Sequence, residues 1–161
     1  MDMENSAGRN LEAVPRGRIL VVDDEPQIGG AIRRTLRREH EVVALTSARE
    51  AYARLRGGER FDLVLSDLMM PEMSGVELHQ ELSRLSPDLA ARMVFLTGGA
   101  FTPYARSFLR DVENPRLEKP FSSEALRDLV QTLIQKEGTA VDSPRPPVPL
   151  NPWRTPEPPR S

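Results

Sequence analysis

The chain has no cysteine, which excludes disulfides, thiolate metal sites and cysteine nucleophiles. Histidine is nearly absent. His40 and His79 lie far apart among polar neighbours, and such isolated residues do not make a histidine metal site. No apolar run approaches the roughly 20 residues that span a bilayer. Met1–Asn10 lacks the apolar core of a signal peptide. A cytoplasmic protein without membrane attachment is the reading. Charge of one sign is also lacking: the net charge is −2 and the isoelectric point about 5.8, so nothing favours non-specific nucleic-acid binding.

What is there is unevenly distributed. The 161 residues suffice for one packed domain with tails. Residues 1–17 are polar and without periodicity, and read as a flexible leader. Eight of the 23 residues from 139 to 161 are proline, a composition with few backbone donors and little to bury. That tail is expected to be disordered or partly polyproline II. It contains no apolar-periodic helix, so no DNA-binding module is expected and any output should be a protein contact. The folded part is therefore 18–138.

Within it apolar runs alternate with helical spacing. Arg18–Val22, Glu41–Leu45, Phe61–Ser66, Met93–Leu96 and Arg116–Glu118 read as strands, the last a weak one. Pro26 suits a first helical turn, with Ile28, Ile32 and Leu36 recurring behind it. Ser47 and Glu50 have the spacing of a capping box. Further helices follow Ser74-Gly75, Thr102 and Ser122, and Pro87 closes the unit before the fourth strand. Five strand–helix units with near-continuously apolar strands imply a parallel sheet covered on both faces. The fold class is α/β: a doubly wound, flavodoxin-like, five-stranded parallel sheet in the order 2-1-3-4-5.

That order makes the first and third strands neighbours. Their ends carry Asp23-Asp24 and Asp67; Thr97 ends the fourth strand and Lys119 the fifth. Three acids in one cleft repel unless a cation or a proton relieves them. An oxygen-only set suits a hard divalent cation, Mg2+ or Mn2+. A carboxylate can take phosphorus as an acyl phosphate, with a metal and an ammonium neutralising charge. Asp67 is the exposed candidate and Asp23-Asp24 the metal platform, with Glu25 facing out at the helix start.

The motifs ILVVDDEP (Ile19–Pro26), DLVLSDLMMPEMSGVEL (Asp62–Leu78), FLTGG (Phe95–Gly99) and LEKPF (Leu117–Phe121) are specific in order and spacing. The chain resembles the response-regulator receiver domain of two-component signalling, the CheY-like family, including the type at the end of hybrid histidine kinases. The resemblance implies phosphoryl transfer onto Asp67 from a histidine kinase or histidine phosphotransfer protein. It implies a metal held by Asp24, Asp67 and the Met69 carbonyl, with Asp23 acting mostly through a metal-bound water. Thr97 would turn inward to the phosphoryl group and Lys119 would pair with it, aimed by a cis Lys119–Pro120 bond. Pro71 and Gly75 would shape the loop, Gly75 through an unusual φ. By the same resemblance, Met69 and Gly99 would stand where the family varies the side chains that tune phosphoryl lifetime. Catalysis would be limited to the chain's own phosphorylation and dephosphorylation.

One position departs from the family. Arg116 stands where an aromatic ring usually accompanies the threonine, and a guanidinium does not bury as a ring does. A second reading follows: a receiver-fold interaction module with weak or absent phosphorylation-dependent switching. A metal-dependent phosphatase is a third, weakened because no second acid–base group is evident near Asp67. Arg106, Arg110, Arg116 and Arg127 would give the face around the fifth strand a basic character, suited to an acidic partner. A homodimer through that face stays open. In the tail, Pro146 and Pro149 have PxxP spacing and Trp153 is the only tryptophan, a set that could dock a partner.

Overall fold

The computed structural model describes residues 16–98 and 102–142. The leader through residue 15, Gly99, and the chain beyond residue 142 with the PxxP segment and Trp153 lie outside the described residues.

The strands are β1 (Arg18–Val22), β2 (Glu41–Leu45), β3 (Leu63–Asp67), β4 (Met93–Thr97) and β5 (Arg116–Glu118). The helices are α1 (Pro26–Leu36), α2 (Ala48–Arg56), α3 (Gly75–Leu85), α4 (Pro87–Ala90), α5 (Pro103–Asp111) and α6 (Ser123–Asp142). Every strand pairing is parallel and the order is β2-β1-β3-β4-β5, the doubly wound order implied by the sequence.

Side chains alternate across a strand, so the apolar runs feed two cores. Leu20, Val22, Val64, Met93 and Phe95 pack under α2, α3, α4 and α5. Ile19, Val21, Leu63, Leu65, Val94 and Leu96 pack against α1 and α6. Helices of 9 or 11 residues such as α2 and α3 are too short to persist alone. Burial of each large aliphatic side chain contributes about 1.5–3 kcal/mol, so the two-sided core holds them.

Helix ends differ from the sequence reading in three places. At α2, Ser47 Oγ accepts from Glu50 N at 3.1 Å, but among the described residues only that half of the capping box forms. The complete box is at α3, where Glu77 N donates to Ser74 Oγ at 3.1 Å and Ser74 N to Glu77 Oε1 at 3.0 Å. Second, Pro87 begins an element as well as closing one. Without an N–H it cannot continue α3, but it fits the first position of α4, capped by Ser86. Third, α6 continues past Gly138 to Asp142. One helical glycine costs about 1 kcal/mol, and the first proline after it is Pro144, so nothing stops the helix at 138.

Candidate functional site

Register assembles the site. Val22 lies level with Ser66, so Asp23 follows beside Asp67, and Thr97 lies level with Glu118, so Lys119 follows it. Alternation then divides the set. Asp23, Asp67 and Lys119 continue the parity of Val21, Leu65 and Leu117, which face α1 and α6. Thr97 continues the parity of Met93 and Phe95, which face the other core.

The structure brings the three acids together: oxygens of Asp23, Asp24 and Asp67 lie within 4.8 Å of one another. Asp67, expected to be the exposed acid, is buried with Asp23, because it is still the last residue of β3; the exposed one is Asp24. Lys119 Nζ sits 2.9 Å from Asp23 Oδ2 and 3.5 Å from Asp67 Oδ2. Backbone donors serve the other oxygens, Glu25 N to Asp23 Oδ1 at 2.9 Å and Met69 N to Asp67 Oδ1 at 3.4 Å.

One ammonium does not balance this set. Burial and the neighbouring Asp23 push the Asp67 carboxyl up to about 6, with Lys119 and the Met69 N–H pulling it back only in part. Burial would lower the Lys119 ammonium, but Asp23 and Asp67 outweigh it and its pKa is raised. Asp23 Oδ2 is buried, and among the described residues its partner is the Lys119 ammonium. Three carboxylates answered by a single ammonium form an all-oxygen set that fits a hard divalent cation such as Mg2+.

An open cleft of about 550 Å3 leads to the cluster, lined by Asp24, Asp67, Met69 and Lys119. Glu25 and Ile28 line it as well. Glu25, at the N-cap of α1, is exposed as expected of a residue facing out at the helix start, and it also borders the open cleft. Thr97 is not among the residues lining the cleft; it is 3% exposed, on the opposite parity. The Lys119–Pro120 bond is cis.

The loop after Asp67 also differs from expectation. Gly75 does not take a positive φ; that belongs to Glu72, at 67°. What requires glycine at 75 is close approach: a Cβ there would overlap the Asp67 carbonyl oxygen and meet Leu68 Cα at 3.0 Å. Gly75 N donates to Leu68 O at 2.9 Å, fixing the start of α3 against the end of β3.

The remaining candidates are accounted for by packing. His40 is buried and its Nδ1 accepts from Gly17 N at 3.0 Å. His79 packs against Phe95 and Phe108, with ring centroids 5.7 and 5.2 Å away. Arg116 stays exposed and turns back on α5, its Nη2 donating to Leu109 O at 3.0 Å. Arg127 lies 3.7 Å from Glu39, so among the described residues Arg106 and Arg110 are the members of the expected basic set without such a contact. Among the described residues no helix is long and apolar enough to cross a membrane.

Comparison with known proteins agrees with this site. Residues 19–131 match the family described as response regulator receiver domain, and the chain belongs to that family. It is 35% identical over 121 residues to the response regulator receiver protein CpdR of Brucella abortus, covering 72% of this chain and 92% of that one. It is 34% identical over 122 residues to the sensor kinase CckA of Brucella abortus, covering 74% of this chain but only 13% of the kinase. A solved response regulator receiver domain protein from Clostridium thermocellum superposes with a TM-score of 0.66 at 25% identity, over 76% of this chain and 97% of that one. The signal receiver domain of a signal transduction histidine kinase from Syntrophus aciditrophicus gives 0.66 at 25%, over 83% and 98%.

Proposed function

We propose that Asp67 accepts a phosphoryl group from a phosphohistidine on a histidine kinase or histidine phosphotransfer protein, and that the phosphorylated chain acts in the cytoplasm by protein contact. The observation that carries this reading is the buried Asp67 carboxylate, facing an open cleft between two further acids and Lys119. An Asp67 oxygen forms the new P–O bond as the P–N bond to imidazole breaks, and the departing imidazole takes a proton from solvent. Asp23, Asp24, Asp67 and the Met69 carbonyl would hold Mg2+, which supplies positive charge to the phosphoryl oxygens. Lys119 leaves its ion pair with Asp23 to meet the phosphoryl group. Thr97 turns from the far side of β4 to donate its hydroxyl. The chain catalyses its own phosphorylation and dephosphorylation and turns over no external substrate.

The test is beryllofluoride or acetyl phosphate with Mg2+, followed by mass and amide exchange. The parent should respond and Asp67→Asn should not; an equal response from both would remove Asp67 from this role. The Arg116 bond to Leu109 O favours a second reading, an interaction module whose surface barely moves. The same exchange data decide it. Changed protection along α5 and β5 supports a switch, and protection altered only around Asp67 supports the module.

A further inference from the structure

A second concavity, of about 630 Å3, lies between α2 and α3, on the sheet face away from α1 and α6. Its two walls carry opposite charge. Arg49 and Arg56 project from α2; Glu72, Glu77 and Glu81 come from α3 and the loop before it. Partly buried Tyr52 and Met73 lie between.

The walls do not neutralise each other. Arg49 and Arg56 enter no ion pair among the described residues. The Arg56 guanidinium lies 5.8 Å from the Tyr52 ring centroid. Glu77 accepts from Ser74 N, and Glu81 pairs with Arg84 at 2.8 Å. Two cations and a row of acids thus face one groove without meeting.

We propose that this groove is the contact surface for a second copy of the chain, in a twofold dimer with α2 of each protomer on α3 of the other. Both helices run back from one parallel strand towards the next, so they point the same way. A twofold axis between them and parallel to them sets the cationic wall of each protomer on the acidic wall of its partner, twice over. A partner of one charge sign would meet like charge on one wall; a second copy meets opposite charge on both. The contact is short, since helices of 9 and 11 residues extend about 14 to 17 Å. It is therefore weak and sensitive to salt. The proposal is independent of phosphoryl transfer at Asp67.

Sedimentation of the full chain across a concentration series tests it. The parent should self-associate in low salt and bind at least about tenfold more weakly near 0.5 M salt. Arg49→Glu with Arg56→Glu, and separately Glu72→Arg with Glu81→Arg, should each be monomeric and melt like the parent. Glu77 is left intact to preserve the α3 cap. Mixing the two variants should restore association, because each reversed wall then faces its opposite. A parent that stays monomeric in low salt overturns the proposal. So do charge-reversed variants that dimerise like the parent, or a folded pair that fails to associate when mixed.

Discussion

At the amino edge of the sheet Arg18 reaches Glu59 at 2.9 Å, Glu41 at 3.2 Å and the Arg60 carbonyl at 2.9 Å, with its guanidinium 4.4 Å from the Phe61 ring centroid. Asp62 accepts from the Arg18 N–H at 2.8 Å. At the carboxyl edge of the same sheet a single Lys119 answers the two buried acids, with Asp24 beside them. The amino edge gives each named charge a partner, so its electrostatics favour the fold. The carboxyl edge keeps like charges at close quarters, a repulsion that a divalent cation would relieve. Stability and chemistry are thus separated by the length of a five-residue strand.

The largest effect that sharpens the contrast concerns two glycines. At the carboxyl edge, alanine at 75 would press on the backbone of Asp67 and Leu68, which cannot yield. At the amino edge, alanine at 17 would meet the flexible Cδ1 of Ile134 at 2.5 Å, a group that can rotate away. Gly75→Ala should cost about 3 kcal/mol in urea unfolding and Gly17→Ala about 1 kcal/mol. Equal costs would mean that the β3–α3 junction is no tighter than the strand start.

The next effect tests the stored repulsion. Asp67 has its folded-state pKa raised to about 6 from 3.8. Its favourable contribution is complete while the group stays protonated, below about pH 4, and is lost as pH rises through about 6. At pH 7 without divalent cation the ionised carboxylate therefore opposes folding. Asp67→Asn should stabilise the protein there by about 1–3 kcal/mol, and the gain should vanish near pH 4. Urea titrations with chelator at both pH values measure it. The same gap at pH 4 and pH 7 would show that charge is not its source.

Most of this was open to sequence reasoning because strand ends are simple. Runs such as Leu20–Val22 and Val94–Leu96 have one role, and parallel order converts their ends into neighbours. The acids Asp23 and Asp67 and the base Lys119 followed from that alone. What stayed hidden depends on orientation or on atoms far apart in sequence. Thr97 sits behind the cleft because of parity, which needs the exact strand register. Gly75 has its role through the Asp67 carbonyl, eight residues earlier, which no spacing rule reports. The Arg116 bond to Leu109 O was likewise beyond reach, since a side chain bonding to a backbone carbonyl leaves no sequence pattern.

The smallest effect reverses the sign of the second and belongs to the amino edge. His40 is 1% exposed, and its Nδ1 accepts from Gly17 N, which leaves the proton of the neutral ring on Nε2. Burial lowers its pKa from 6.5; Glu39 and Asp62 oppose that and Arg16 adds to it. A lowered histidine contributes stability above its unfolded pKa, and that contribution is lost as pH falls through about 6.5 towards the folded value. Protonation would also set a second N–H against the Gly17 N–H, next to the bond from Glu41 N to Gly17 O at 2.9 Å that joins β1 and β2. Between about pH 7 and pH 5 the parent should therefore lose more stability than His40→Gln does. His79, also lowered by burial, is present in both proteins and cancels in the difference. Parallel pH profiles for the two would place the acid sensitivity elsewhere. A steeper parent profile, beside the opposite trend from Asp67, would show acidification loosening one edge of the sheet while it relieves the other.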